Sequence, residues 1–109
     1  MPNSQELDAI LGALANSTRR DVLEALRSGP KTVGELAAPH EMALPSFLQH
    51  VRLLEECGLV TTEKRGRTRI VHPRHQPMLQ LEEWLDAERT AWERRLNQLD
   101  EFLLRGTEK

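Results

Sequence analysis

A mainly helical domain with one small β-hairpin is the fold class this sequence predicts, and three observations predict it. Apolar residues recur at helical spacing through most of the chain. The stretch "LVTTEKRGRTRIVH" (59–72) instead alternates like two short strands about a glycine-containing turn. Stop signals at Ser28-Gly29-Pro30, Pro39, Gly58 and Pro73 keep every element but the last one short.

The elements follow in order. Ser4 can cap a first helix with Leu7, Ile10, Leu11 and Leu14 on one face. Asn16-Ser17 interrupts it and caps a second, carried by Val22, Leu23 and Leu26. Thr32 with Glu35 three residues later is a capping-box pattern, opening a third helix to about Ala38. A turn at 39–42 leads to a fourth helix, 44–57, closed by Gly58. Strands at 59–64 and 68–72 make the hairpin, with Arg65-Gly66-Arg67 as its turn. The last helix runs from about 77 to 104, with Leu81, Leu85, Trp92, Leu96, Leu99 and Leu103 on a stripe. The order is ααααββα.

Composition excludes several classes. A chain of 109 residues suits one domain, 1–109, with only a modest core, so help from a second subunit is plausible. Hydrophobic content of 39% beside 29% charged residues reads as soluble and globular. No apolar run approaches the ~20 residues of a membrane span. No signal peptide is visible, and the lone Cys57 fits a reducing cytoplasm. No phosphate loop, nucleophile–base spacing or metal motif is present, so the chain reads as no enzyme.

Charge distribution says more than the net charge of −2. Residues 60–76 hold five Lys/Arg (Lys64, Arg65, Arg67, Arg69, Arg74) against Glu63 alone, a local +4. The segments before and after each carry five bases and eight acids. Two short helices about a four-residue turn, the second followed by a basic hairpin, make a winged helix-turn-helix. The charge then sits where phosphates would lie when helix 44–57 enters a major groove and hairpin 60–72 follows the flanking backbone or minor groove.

"LGALANSTRRDVLEAL" (11–26), "TVGELAAPHEMALPSFLQHVRLLEECGLV" (32–60) and "EKRGRTRIVH" (63–72) resemble the ArsR, or ArsR/SmtB, family of bacterial winged helix-turn-helix repressors. The resemblance covers nearly the whole chain. It implies a homodimer joined through the first and last helices, an inverted-repeat operator in double-stranded DNA, and usually repression, released in many members by a metal or another inducer. The rival is a winged-helix adapter that binds protein and not DNA; the four basic residues within 64–69 count against it.

In the fourth helix, Phe47, Val51 and Leu54 recur at i, i+4 and i+7 and should face the core. Pro45, Gln49 and Arg52 lie on another face. Gln49 can bond adenine bidentately, Arg52 suits phosphate or guanine, and Ser46 can donate to a phosphate. The family often carries Ser at the positions of Ala43 and Leu48 and a polar residue at Leu44. Here Leu44 and Leu48 either meet thymine methyl groups or enlarge the core. In the hairpin, Arg67 is the tip residue, and Lys64, Arg65 and Arg69 are phosphate candidates. Arg19 and Arg20 have a structural role in this reading, paired with Asp21, Glu24 or an N-terminal acid. His50 reads as packed or phosphate-bonded.

The expected dimer seam is Leu7, Ile10, Leu11 and Leu14 with Leu85, Trp92, Leu96, Leu99 and Leu103. Trp84 and Trp92 are interface core in this reading; a small effector pocket between subunits is the alternative. No metal and no cofactor are expected. The third helix lacks the Cys-x-Cys type motif that family metal sensors commonly place there, and no His follows His75 in the last helix. His72 and His75 are a loose pair, and Cys57 is a packed thiol at a helix end. The sequence leaves the effector undefined.

Overall fold

Local hydrogen bonds decide where the helices begin and end. The structure is a computed structural model and describes residues 4–107. Helix α1 is Ser4–Leu14 and α2 is Ser17–Ala25. The Asn16 side chain accepts the Arg19 backbone N–H at 3.1 Å, so the break between them is a capped helix start. A 3₁₀ turn, Leu26–Ser28, follows α2. The expected capping box forms in full at α3, Val33–Ala37: Thr32 Oγ1 accepts the Glu35 N–H at 3.1 Å, and Glu35 Oε1 accepts the Thr32 N–H at 3.2 Å. These bonds hold the Glu35 carboxyl below the usual carboxylate range.

Helix α4 is Leu44–Glu56. Its end has a specific geometry. Gly58, at φ 81°, donates to the Glu55 carbonyl, and Leu59 donates to Leu54. That pair of bonds is a Schellman cap, which needs the left-handed residue. It turns the chain into β2, Val60–Arg65, and β3, Thr68–Pro73. Each strand ends one residue later than the sequence pattern suggests, and β2 also begins one residue later. The turn is therefore the two residues Gly66 and Arg67. Gly66 has φ 59° and no non-glycine residue has positive φ among the described residues, the pattern of a type II′ turn.

A third strand escaped the sequence reading. Residues Lys31–Thr32 form β1, which pairs antiparallel with β3 in a sheet of order β1-β3-β2. Two residues are too few to show alternation.

The core is contributed by Val22, Leu26, Phe47, Leu54, Leu59, Val60 and Val71, each nearly inaccessible to solvent. Among the described residues no polar or charged side chain is buried there. Phe47, Val51 and Leu54 face inward, as their spacing requires.

The last helix, α5, is Gln76–Thr107. At 32 residues it spans about 48 Å. Near its start it lies against α1, and beyond Trp84 every side chain through Gly106 is exposed. The molecule measures 76 × 28 × 24 Å because α5 projects from the winged-helix body. No helix among the described residues is long and apolar enough to cross a membrane.

Candidate nucleic-acid interface

Helix α4 turns one face to the core and presents the other to solvent. Pro45, Ser46, Gln49 and Arg52 are all exposed, and Gln49 and Arg52 have no hydrogen-bond or ionic partner among the described residues. The helix starts without a side-chain cap, since Ala43 offers no acceptor. Pro45 lacks an N–H to satisfy, and the Ser46 N–H turns back to the Ala43 carbonyl at 3.0 Å, so little is lost. Leu44 and Leu48, one turn apart, have different surroundings. Leu44 is 54% exposed, whereas Leu48 is half-buried against the core. Leu53, which the sequence reading passed over, is also exposed on this helix.

Behind α4, Arg19 fastens the helix to the body. Its guanidinium donates to the carbonyls of Ala13 at 2.7 Å and Gly12 at 3.1 Å, and lies 3.0 Å from His50 Nδ1. A guanidinium only donates, so Nδ1 carries the lone pair and the ring proton sits on Nε2. Burial, then Arg19 and His40, push the His50 pKa down, which agrees with a neutral ring. Arg20 donates to the Leu14 carbonyl at 2.8 Å. Both arginines are structural, but their partners are carbonyls and an imidazole in place of the expected carboxylates.

The strand register divides the basic residues of the wing. Lys64 pairs with Arg69, and Thr62 with buried Val71, so Lys64 and Arg69 share the face directed toward α4. That face is tied down. Glu55 Oε2 on α4 accepts the Thr62 N–H at 3.1 Å and its hydroxyl at 2.8 Å, and Arg69 donates to Thr62 Oγ1 at 2.9 Å. Arg67 stands at the turn with no partner among the described residues, as does Lys64.

Arg65 departs from the expectation of a phosphate contact beside Lys64 and Arg69. Strand alternation puts it on the opposite face, where its Nε lies 3.1 Å from Glu63 Oε1. His72 Nε2 lies 3.0 Å from the same oxygen. The His72 hydrogen bond, with further help from Arg65, draws the Glu63 pKa down. His72 is thus engaged with a carboxylate. No group of three or more metal-type side chains occurs among the described residues. The Cys57 thiol donates to the Leu54 carbonyl at 3.4 Å, and burial pushes its pKa up, the reverse of a reactive thiolate.

The expected seam residues also separate. Leu85, Trp92, Leu96, Leu99 and Leu103 are exposed along α5, with Arg95 stacked 5.6 Å from the Trp92 ring. Leu11 is exposed and Leu7 half-buried on α1. Leu14 is half-buried against the protomer's own core. Ile10, also expected at the seam, is enclosed by its own chain at 1% exposure. Phe102 and Leu104, missing from the expected seam, are exposed beside Leu103. For Phe102, three residues from Leu99, helical spacing was the available signal.

The helix-turn-helix domain model matches residues 14–63. A crystal structure of an ArsR-family transcriptional regulator superposes with a TM-score of 0.82 at 43% identity, covering 84% of this chain and 95% of that one. An HTH-type transcriptional regulator of Mycobacterium tuberculosis is 40% identical over 58 residues, 53% of this chain and 54% of the relative. The match therefore spans about half the length of that relative. The transcriptional activator HlyU of Vibrio cholerae is 35% identical over 66 residues, 61% of each chain.

Proposed function

The chain belongs to the ArsR family of winged helix-turn-helix transcriptional regulators, and from that premise we propose that it works as a homodimeric repressor on an inverted-repeat operator in the cytoplasm. Helix α4 enters the major groove. Gln49 and Arg52 address base edges or phosphates, Ser46 addresses a phosphate, and Leu44 with Pro45 meets apolar base edges. Leu48 serves mainly to seat the helix. Lys64, Arg67 and Arg69 follow the neighbouring backbone, with Arg67 reaching furthest. Arg65 is the weakest of the wing candidates, because Glu63 partly neutralises it.

One observation carries this reading. Gln49 and Arg52 project from α4 without a partner among the described residues, and Glu55 of the same helix holds Thr62 of the wing strand face that carries Lys64 and Arg69. Seam residues Leu7 and Leu11 on α1 and Leu85, Trp92, Leu96, Leu99 and Leu103 on α5 join two copies. Two α4 helices then address half-sites about one DNA turn apart.

Selection of bound sites from random duplex DNA tests this. The expected result is an inverted repeat with half-sites about 10 base pairs apart, occupied by two chains. A reporter driven by the selected site should be silenced when the protein is supplied. Retention of no duplex at moderate salt overturns the DNA reading, and a rise in reporter output overturns repression alone.

A further inference from the structure

A cleft lies on the body, away from α4 and the wing tip. Its volume is about 580 Å³, within the range of small-molecule pockets. Leu14, Leu23 and Met78 offer its apolar surface, with the fully buried Leu26 and Leu59 packed beneath them. The rim holds three guanidinium groups, Arg20, Arg27 and Arg74, against one carboxylate, Glu24. Arg20 is already engaged with the Leu14 carbonyl. Arg27 and Arg74 have no side-chain partner among the described residues. Guanidinium groups thus outnumber carboxylates around an apolar hollow, in a chain of net charge −2.

We propose that this cleft binds a small anionic amphiphile, an apolar tail against Leu14, Leu23 and Met78 with a carboxylate held by Arg27 and Arg74. Guanidinium geometry matches a carboxylate in two parallel hydrogen bonds. The position gives the ligand a regulatory consequence. The cleft brings together α2, the end of the wing at Pro73 and the first turns of α5 at Met78. A bound tail fixes the angle at which α5 leaves the wing, and with it the spacing of two α4 helices in a dimer.

The test uses the full chain without DNA, so its outcome is independent of the operator. Decanoate and decanol serve as probes, followed by thermal unfolding and by amide chemical-shift mapping. Decanoate should saturate, raise Tm by roughly 10 °C at a hundred times its Kd, and move amides around Leu23, Leu26 and Met78. Decanol should bind about fivefold more weakly. The Arg27→Ala/Arg74→Ala variant, both changes at exposed positions, should erase that difference while keeping the unliganded Tm. Leu23→Trp should fill the cleft and remove binding. Absence of saturation, equal binding of the two probes, or shifts confined to residues 85–106 overturns the proposal. So does decanoate binding only when the dimer dissociates, which would make the cleft a seat for the partner's chain.

Discussion

Leu54 and Leu99 both sit on apolar helical stripes, yet Leu54 is fully enclosed by its own chain and Leu99 is 52% exposed. The same contrast separates two regions. In the body, α2, α4 and the sheet bury their apolar residues against one another, and no buried side-chain polar atom lacks a partner among the described residues. In the outer part of α5, Leu85, Trp92, Leu96, Leu99, Phe102 and Leu103 are all at least half exposed. The two regions carry the same kind of pattern, and only one completes itself. A contiguous apolar stripe left open to solvent marks an interaction surface.

The largest expected effect breaks the incomplete region alone. Leu99→Glu places a charge in the seam without touching the core. The variant should sediment as a monomer while its far-UV circular dichroism stays helical. Specific operator affinity should fall at least about a hundredfold, since one half-site loses the benefit of the second. A dimer that persists in Leu99→Glu would place the seam elsewhere. The counterpart in the body is Phe47→Ala, which empties a fully buried site. Removing a buried aromatic costs roughly 3–5 kcal/mol, read from urea unfolding. Here dimerisation should fail only because the body unfolds, so the two variants separate seam from core.

The third prediction compares the two faces of the wing. Arg67→Ala/Arg69→Ala should flatten the dependence of log K on log salt by about one to two units, on specific and nonspecific duplexes alike. Arg65→Ala should change that slope by less than about half a unit, because Glu63 already holds its guanidinium. Equal effects from Arg65 and Arg69 would show that the wing rotates on DNA and presents both faces.

Much of the fold was legible because its signals are local. The Asn16 cap, the Thr32–Glu35 box and the Gly58 terminator depend on residues within about five positions of one another, and all three formed. What the sequence could not supply depends on non-local pairing. Strand β1 exists through its contact with β3, and Arg65 is separated from Lys64 and Arg69 by strand register. Ile10 shares its stripe with Leu7 and Leu11, and helical periodicity cannot say which chain covers each of them. The residues proposed to face DNA rest on residue type and a family resemblance, and only the packing of α4 separates exposed Leu44 from half-buried Leu48.

The smallest expected effect concerns the joint between body and α4. His50 accepts from Arg19, and its pKa is lowered by burial, by Arg19 and by His40. A histidine lowered on folding takes up its proton later in the native state than in the unfolded chain. Its stabilisation is therefore complete above the unfolded value near 6.5 and is lost as pH falls through that value toward the folded one. Protonation also turns Nδ1 from acceptor to donor and removes the bond to Arg19. His50→Gln keeps a carbonyl acceptor for Arg19 but does not titrate. Its unfolding free energy, measured in urea between pH 7.5 and 5, should fall less steeply than that of the wild type. Parallel curves would assign the acid sensitivity to another group.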